Sequence, residues 1–194
     1  WCYDYDPYSS TALIPWTSPP MQTGTVGQHQ YTTPGAYYVA VKVTNSVSGQ
    51  SHIYVHKDVS GNFIPIKVHP KPNTDFYPHP VCVGVQDTWI DNSTIMNPLI
   101  CTNVNPVLNL PQSIVTWTWD VKHINDQSGP IASPSWIPNV GLGLPDLTYT
   151  FPASGTWTIR LTCTSDEGCS EPKEYDITVH ALPIANFTST PNPT

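Results

Sequence analysis

Residues 149–163 read YTFPASGTWTIRLTC, and this stretch decides the fold class. In its second half, Trp157, Ile159 and Leu161 occupy alternate positions and therefore share one face of an extended chain. The residues between them are threonines and an arginine, which form the opposite, polar face. A strand with one apolar and one polar face is typical of an antiparallel sheet that covers a core on one side. The stretch therefore predicts one strand of a β-sandwich.

A second alternating stretch, residues 114–121, reads IVTWTWDV. Its predicted inward face comprises the four large residues at alternate positions, namely Val115, Trp117, Trp119 and Val121. Large aromatic side chains contribute most to a core when they are buried on central strands, so we expect the tryptophans to be buried.

The strand of residues 149–163 has a counterpart early in the chain, where residues 31–43 read YTTPGAYYVAVKV. Aligning Gly35 with Gly155 places Tyr37 on Trp157. Further pairs of matching segments are residues 66–76 with 177–187, and Trp1 to Asp4 with Trp117 to Asp120. The matching segments occur in the same order, which indicates an internal repeat.

The repeat predicts the domain boundaries. Residues 1–76 form a β-sandwich that is incomplete at its N-terminal side, residues 77–187 form a complete one, and residues 188–194 begin a further repeat. Short proline-bearing connectors precede the two ends of the matched blocks.

The composition of the 194 residues restricts the fold and the partners. The chain contains 22 prolines and only 11% charged residues, which disfavours long helices with salt bridges on their surface. Its seven Lys and Arg residues are scattered and its net charge is −7, so we expect no binding to nucleic acid. No apolar stretch approaches the roughly 20 residues of a membrane span.

Five cysteines occur without metal-binding spacing, which favours disulfides formed in an oxidising compartment. A turn separates Cys163 from Cys169, so we predict a bridge across a hairpin, and by elimination a second bridge between Cys82 and Cys101. Four cysteines permit three connectivities, and the sequence does not choose among them. Cys2 is left over, with its partner expected in a preceding segment.

No catalytic motif is present, and we predict no enzymatic activity and no cofactor. His52 and His56 alternate along one strand, but a solvated face explains that spacing as well. Ca²⁺ is the one metal to consider, at Asp4 and Asp6 or at Asp166 and Glu167, although neither pair supplies a full set of oxygen ligands. The sequence thus predicts no metal site.

With Gly168-Cys169 and the closing Val179, Pro183, Ala185 and Phe187, residues 149–187 resemble PKD (polycystic kidney disease) domains. The similarity is greatest to tandem PKD domains in large secreted and surface proteins of Bacteroidetes-type bacteria. The family carries W-D-F-G-D-G after its Trp strand, whereas here Trp119 and Asp120 are followed by Val-Lys-His. The glycines are missing, so the loop that follows is reshaped.

The resemblance implies an all-β fold of tandem immunoglobulin-like sandwiches. It implies a non-catalytic structural or adhesive repeat of a large cell-surface protein, exported by the type IX route and similar to gliding-motility adhesins. Expected partners are neighbouring repeats of the same chain and surface glycans or other surface proteins, and the expected location is extracellular.

The alternative is a carbohydrate- or protein-binding accessory module of a secreted hydrolase. In that case exposed aromatic rings would stack on sugars. Trp16 and Trp136 lie in proline-rich loops that could present such a platform, and Tyr8 and Trp89 also lie outside the clear core stripes.

Overall fold

The computed structural model describes residues 28–101, 108–124 and 136–188, and these are all-β, with no helix among them. The architecture is consistent with a β-sandwich, as predicted. The strands are, in chain order, β1 Gly35–Tyr37, β2 Ala40–Thr44, β3 Ser51–Val55, β4 Ile66–Val68, β5 Val81–Cys82, β6 Gln86–Trp89, β7 Leu99–Cys101, β8 Leu108–Leu110, β9 Ile114–His123, β10 Ile137–Leu142, β11 Leu147–Thr150, β12 Gly155–Ser165 and β13 Ser170–His180.

The chain divides into two compact units. Unit 1 comprises residues 1–71 and 95–113, and unit 2 comprises residues 72–94 and 114–194. This division differs from the predicted boundary after Phe76, because the Phe76 side chain is only 2% exposed and belongs to the core of unit 2. Residues 95–113, which were assigned to the second sandwich, group with unit 1.

Unit 2 contains a five-stranded sheet in the order β10-β9-β12-β13-β5 and a two-stranded sheet of β11 and β6. All neighbouring strands are antiparallel except β13 and β5, which run parallel. Both sheets contribute to one core: β6 supplies Trp89 and β11 supplies Leu147, while the long strands β9 and β12 supply most of the remaining apolar side chains. Burial of side chains from two sheets against each other is the main source of stability in such a layered fold.

The apolar face predicted for β12 is confirmed. Trp157, Ile159, Leu161 and Cys163 are all buried, and Trp119 and Val121 of β9 lie in the same core. Trp117 is partly buried at the edge of this core, and its indole Nε1–H donates to the Asp91 carboxylate at 2.8 Å.

Val115 does not face inward as predicted. Thr116 pairs with Thr164, and Ile114 pairs with Ser165. Between these two pairs β9 contains one extra residue, Val115. Such a β-bulge shifts the alternation by one residue, so the side chain before the bulge lies on the face opposite to the one that the alternation predicts. Ile114 consequently packs on the core and Val115 is exposed.

The described part of unit 1 contains three strand pairs, β1 with β4, β2 with β3, and β7 with β8. Its buried cluster is small and consists of Ala36, Tyr38, Leu99 and Cys101, with Phe63 and other partly buried side chains around it. Tyr38 and Phe63 meet edge to face, with ring centroids 6.1 Å apart.

The internal repeat is visible in strand pairing. Gly35 pairs with Val68 and Tyr37 with Ile66 in unit 1. In unit 2 the aligned residues pair in the same way, Gly155 with Val179 and Trp157 with Ile177. The two strand pairs, β1 with β4 and β12 with β13, therefore share one register.

The two copies of the repeat differ in which side chains of the aligned strands are buried. Between Ala36 and Ala40 the buried side chains are Ala36, Tyr38 and Ala40, whereas the alignment places the partly buried Tyr37 on the buried Trp157. The chain interrupts the strand between β1 and β2 and then pairs with β3 instead of continuing along β4. The inward face consequently differs from that of the continuous strand β12.

Candidate functional site

The outward face of the five-stranded sheet in unit 2 carries a group of interacting polar and aromatic side chains, which we call the outer-face cluster: Asp120, Lys122, Trp136 and Arg160. Strand register creates it, because Arg160 of β12 lies directly opposite Asp120 of β9 and Lys122 lies opposite Thr158. Arg160 is the only arginine of the chain.

Asp120 is the centre of the outer-face cluster. Its Oδ2 accepts hydrogen bonds from Arg160 Nε at 3.0 Å and Nη2 at 2.7 Å, and its Oδ1 accepts one from the backbone N–H of Asn139 at 2.9 Å. Asn139 has a positive φ of 57° and lies where β10 shifts register against β9. The carboxylate therefore fixes both the guanidinium and the irregular edge strand.

Trp136 covers the cations of this cluster. The Arg160 guanidinium carbon lies 4.1 Å from the Trp136 ring centroid, and Lys122 Nζ lies 4.5 Å from it. Both distances are typical of cation–π contacts, which attract a cation to the electron-rich ring face. Trp136, predicted as a ligand-stacking ring, is thus already in contact with two cations of its own unit.

Beside the cluster runs an open groove of about 490 Å³, lined by Lys122, Ile124, Thr158, Glu174, Tyr175 and Asp176. The Thr158 hydroxyl donates to Asp176 at 2.8 Å. The groove presents one cation, Lys122, and two carboxylates, Glu174 and Asp176, on the face of the sheet.

No disulfide joins the four cysteines in the part of the chain that the structure describes, in contrast to the prediction. Cys163 of β12 pairs with Glu171 of β13. Cys169 instead lies opposite Ser165, whose N–H donates to the Cys169 carbonyl at 2.9 Å. The two cysteines are therefore offset by two residues, about 7 Å along the strand, which exceeds the Cα separation that a disulfide spans.

The second predicted pair is not formed either. Cys101 is buried in the core of unit 1, and Cys82 is an exposed residue of β5 in unit 2. Cys2 lies outside the described residues.

The metal candidates are not brought together as a site. Within residues 28–101, 108–124 and 136–188, no three His, Cys, Asp or Glu side chains are grouped so that they could hold a metal ion. His52 and Tyr54 are exposed neighbours, with ring centroids 4.5 Å apart. Asp166 and Glu167 are exposed in the β12–β13 turn, and Asp4 and Asp6 lie outside the described residues.

The other aromatic residues considered for ligand stacking are Trp89, Tyr8 and Trp16. Trp89 is fully buried, packs edge to face on Phe151 at 5.4 Å and stacks under His79 at 4.9 Å. It is a core residue and offers no ring for a ligand. Tyr8 and Trp16 lie outside the described residues.

Sequence reasoning missed the Asp120–Arg160 pair. Two sequence features could have indicated this pair: Arg160, the only arginine, lies on the polar face of its strand, and Asp120 directly follows Trp119. A partner on another strand follows only from register, which alternation within one strand does not specify.

No protein-family model matches the chain, and no curated protein matches it significantly. No helix of the described residues is long and apolar enough to cross a membrane.

The thiols should differ sharply in reactivity. Burial raises the pKa of Cys163 and of Cys101, which lowers the fraction of thiolate, the reactive form, at a given pH. We expect iodoacetamide at pH 8 to modify exposed Cys82 in the native protein and to modify Cys101 and Cys163 only after unfolding. Peptide mass spectrometry without reductant measures this, and a peptide joining Cys163 to Cys169 would contradict the register described above.

Proposed function

We propose that this chain is a non-catalytic, load-bearing repeat segment of a large secreted cell-surface protein, built from PKD-type immunoglobulin-like sandwiches. The observation that carries the proposal is the repeated register, Gly35–Val68 and Tyr37–Ile66 in unit 1 and Gly155–Val179 and Trp157–Ile177 in unit 2. A duplicated supersecondary unit within one chain is the mark of an array, and arrays serve as spacers and extended binding surfaces.

A second repeated feature supports the immunoglobulin-like assignment. The Tyr37 hydroxyl donates to the Thr33 carbonyl at 2.8 Å, and the aligned Trp157 Nε1–H donates to the Ala153 carbonyl at 3.0 Å. Each aromatic is the third residue of its strand, β1 or β12, and bonds to the backbone four residues upstream. Immunoglobulin-like sandwiches use a tyrosine in this way to fix the corner that precedes a central strand.

The pairing of β5 with β13 supports a mechanical role. β5 lies near the beginning of unit 2 and β13 near its end, and the two strands run parallel, with Val81 opposite Val179. The Val83 N–H donates to the His180 carbonyl at 2.8 Å. Force applied to the two ends of the unit slides these strands along each other, so their hydrogen bonds are loaded together instead of opening one after another.

The same proposal places the segment outside the cell, exported by the type IX route, with neighbouring repeats and surface glycans or proteins as partners, as in gliding-motility adhesins. The threonine pairs on the outer sheet face, Thr118 with Thr162 and Thr116 with Thr164, suit an exterior of low charge. The accessory-module alternative is less favoured, because the ring of Trp136 already binds Arg160 and Lys122.

Val83→Pro tests the mechanical role, because proline removes the N–H that bonds to His180. We expect an equilibrium cost of about 1 kcal/mol for the lost hydrogen bond. In optical-tweezers pulling from both ends of the chain, we expect a clear drop in the mean unfolding force of unit 2.

Val59→Pro is the matched control. Val59 is fully exposed at the second position of a turn in which the Gly61 N–H donates to the Asp58 carbonyl, and proline is favoured there. The mean unfolding force of unit 2 should stay unchanged, and the free energy of unfolding should change by no more than about 0.5 kcal/mol. Equal forces for the wild type and Val83→Pro would contradict load bearing. Retention on insoluble polysaccharide that Trp136→Ala abolishes would instead support the accessory module.

A further inference from the structure

The segment after β13 exposes large apolar side chains. Ile184 and Phe187 are 94% and 89% exposed, and Leu182 is also largely exposed. Isolated exposed apolar residues are common, but a phenylalanine and two aliphatic residues within six positions form a surface that a partner can bury. The repeat within the chain identifies that partner.

The corresponding segment of the first repeat, residues 72–76, is the first extended stretch of unit 2. Pro72, Thr74 and Phe76 are buried, whereas Asn73 is exposed. Phe76 packs edge to face on Trp119 and on Tyr175, with ring centroids 5.0 and 5.1 Å apart. The segment therefore inserts every second side chain into a core that the rest of unit 2 supplies.

The backbone and the polar side chains of this stretch also have defined partners. Asn73 and Thr94 exchange two backbone hydrogen bonds of 2.7 and 3.0 Å. The Asn92 N–H donates to the Asp75 carbonyl at 2.9 Å, and the Tyr175 hydroxyl donates to Asp75 Oδ1 at 2.8 Å.

Residues 183–187 read PIANF where residues 72–76 read PNTDF. Each segment follows a Val-His pair at the end of a strand, and Val68 and Val179 hold equivalent places in register. The alignment puts Pro183, Ala185 and Phe187 at the three buried positions and Ile184 at the exposed one. Asn186 takes the place of Asp75 and retains a side-chain oxygen that can accept from a tyrosine hydroxyl.

We propose that residues 183–187 form the first strand of a further β-sandwich unit of the same kind as unit 2. Phe187 enters the core of that unit between a tryptophan of a central strand and a tyrosine of the last strand, as Phe76 does between Trp119 and Tyr175. This inference rests on the proposed tandem array. It moves the start of the further repeat from residue 188 to residue 183, which matches the start of unit 2 at Pro72.

A transplant in the existing chain tests whether PIANF can act as a first strand. The variant Asn73→Ile, Thr74→Ala, Asp75→Asn gives residues 72–76 the sequence of residues 183–187. We expect unit 2 to remain folded, with Tm lowered by less than about 5 °C, mainly because Thr74 loses its bond to the Glu171 carbonyl. Thermal unfolding followed by near-UV circular dichroism, which senses the packed tryptophans, measures this.

The matched control carries the same five residue types with phenylalanine one position earlier, PIAFN, which turns its ring to the outward face. We expect this variant to lose as much Tm as Phe76→Ala, more than about 10 °C. If the transplant with correct register loses as much as the control, the proposal is overturned. The single variants Thr74→Ala and Asp75→Asn show whether one lost hydrogen bond causes such a result.

Sedimentation of the unmodified chain tests whether a second copy of this chain, and not a further unit, covers residues 183–187. We expect a monomer. A concentration-dependent dimer that Phe187→Ser abolishes would overturn the proposal, because a second copy would then bury this segment. Failure of the pulling experiment with Val83→Pro would reject load bearing and leave the transplant result unaffected, so the two proposals fail separately.

Discussion

Trp119→Ala should lower the free energy of unfolding by about 3–5 kcal/mol, the range of large-to-small substitutions in a packed core. The Trp119 side chain is fully buried, its ring packs on Phe76, and its Nε1–H donates to the Pro145 carbonyl at 3.2 Å. Opposite it, Gly141 leaves room for the indole, since a Cβ there would lie 3.1 Å from Trp119 Cδ1. Neighbours that fit the ring this closely cannot collapse into the space left by alanine.

Val115→Ala on the same strand is the control for Trp119→Ala. Val115 is 52% exposed at the bulge, so its truncation should cost no more than about 0.5–1 kcal/mol. Urea denaturation followed by tryptophan fluorescence and circular dichroism gives both values. A cost for Trp119→Ala under about 1 kcal/mol would place the ring outside the core, whereas a large cost for Val115→Ala would place the bulge elsewhere.

The parts of the fold that depend on one strand could be predicted from the sequence. The alternation of Trp157, Ile159 and Leu161 specifies which face is buried once the strand exists, and all three are in the core. Val115 was placed wrongly because a bulge changes the alternation without any change in the pattern of residue types. The insertion of one residue between two paired strands is a property of the pair.

Features that require contacts between distant segments were the ones missed. Phe76 was assigned to the end of the first repeat, although it is buried against Trp119, which lies more than forty positions later in the chain. The disulfide between Cys163 and Cys169 was inferred from a turn signal, but the register of β12 and β13 decides which residues face each other. The same limitation concealed the pairing of Asp120 with Arg160.

Removing one partner of the Asp120–Arg160 pair should lower the free energy of unfolding by much more than removing both partners together. The Asp120 side chain is 7% exposed and that of Arg160 is 29% exposed. Replacing Arg160 by methionine leaves a largely buried carboxylate with the Asn139 N–H as its other donor. Removing one partner of a fully buried pair costs roughly 3–5 kcal/mol, and because Arg160 retains contact with water we expect about 2–3 kcal/mol.

A double-mutant cycle separates the pair from the effects of each substitution. Asp120→Asn removes the charge but keeps an oxygen that can accept from Asn139, so the double variant Asp120→Asn, Arg160→Met should recover about 1–2 kcal/mol relative to Arg160→Met alone. Glu174→Gln is the matched control: Glu174 Oε1 lies 3.9 Å from Arg160 Nη1 and its side chain is 48% exposed, so its loss should cost less than about 0.5 kcal/mol. Urea denaturation of the four chains of the cycle and of the control gives these values. Additive costs for Asp120 and Arg160, with no recovery in the double variant, would show that the outer-face cluster contributes through packing on Trp136 and not through charge.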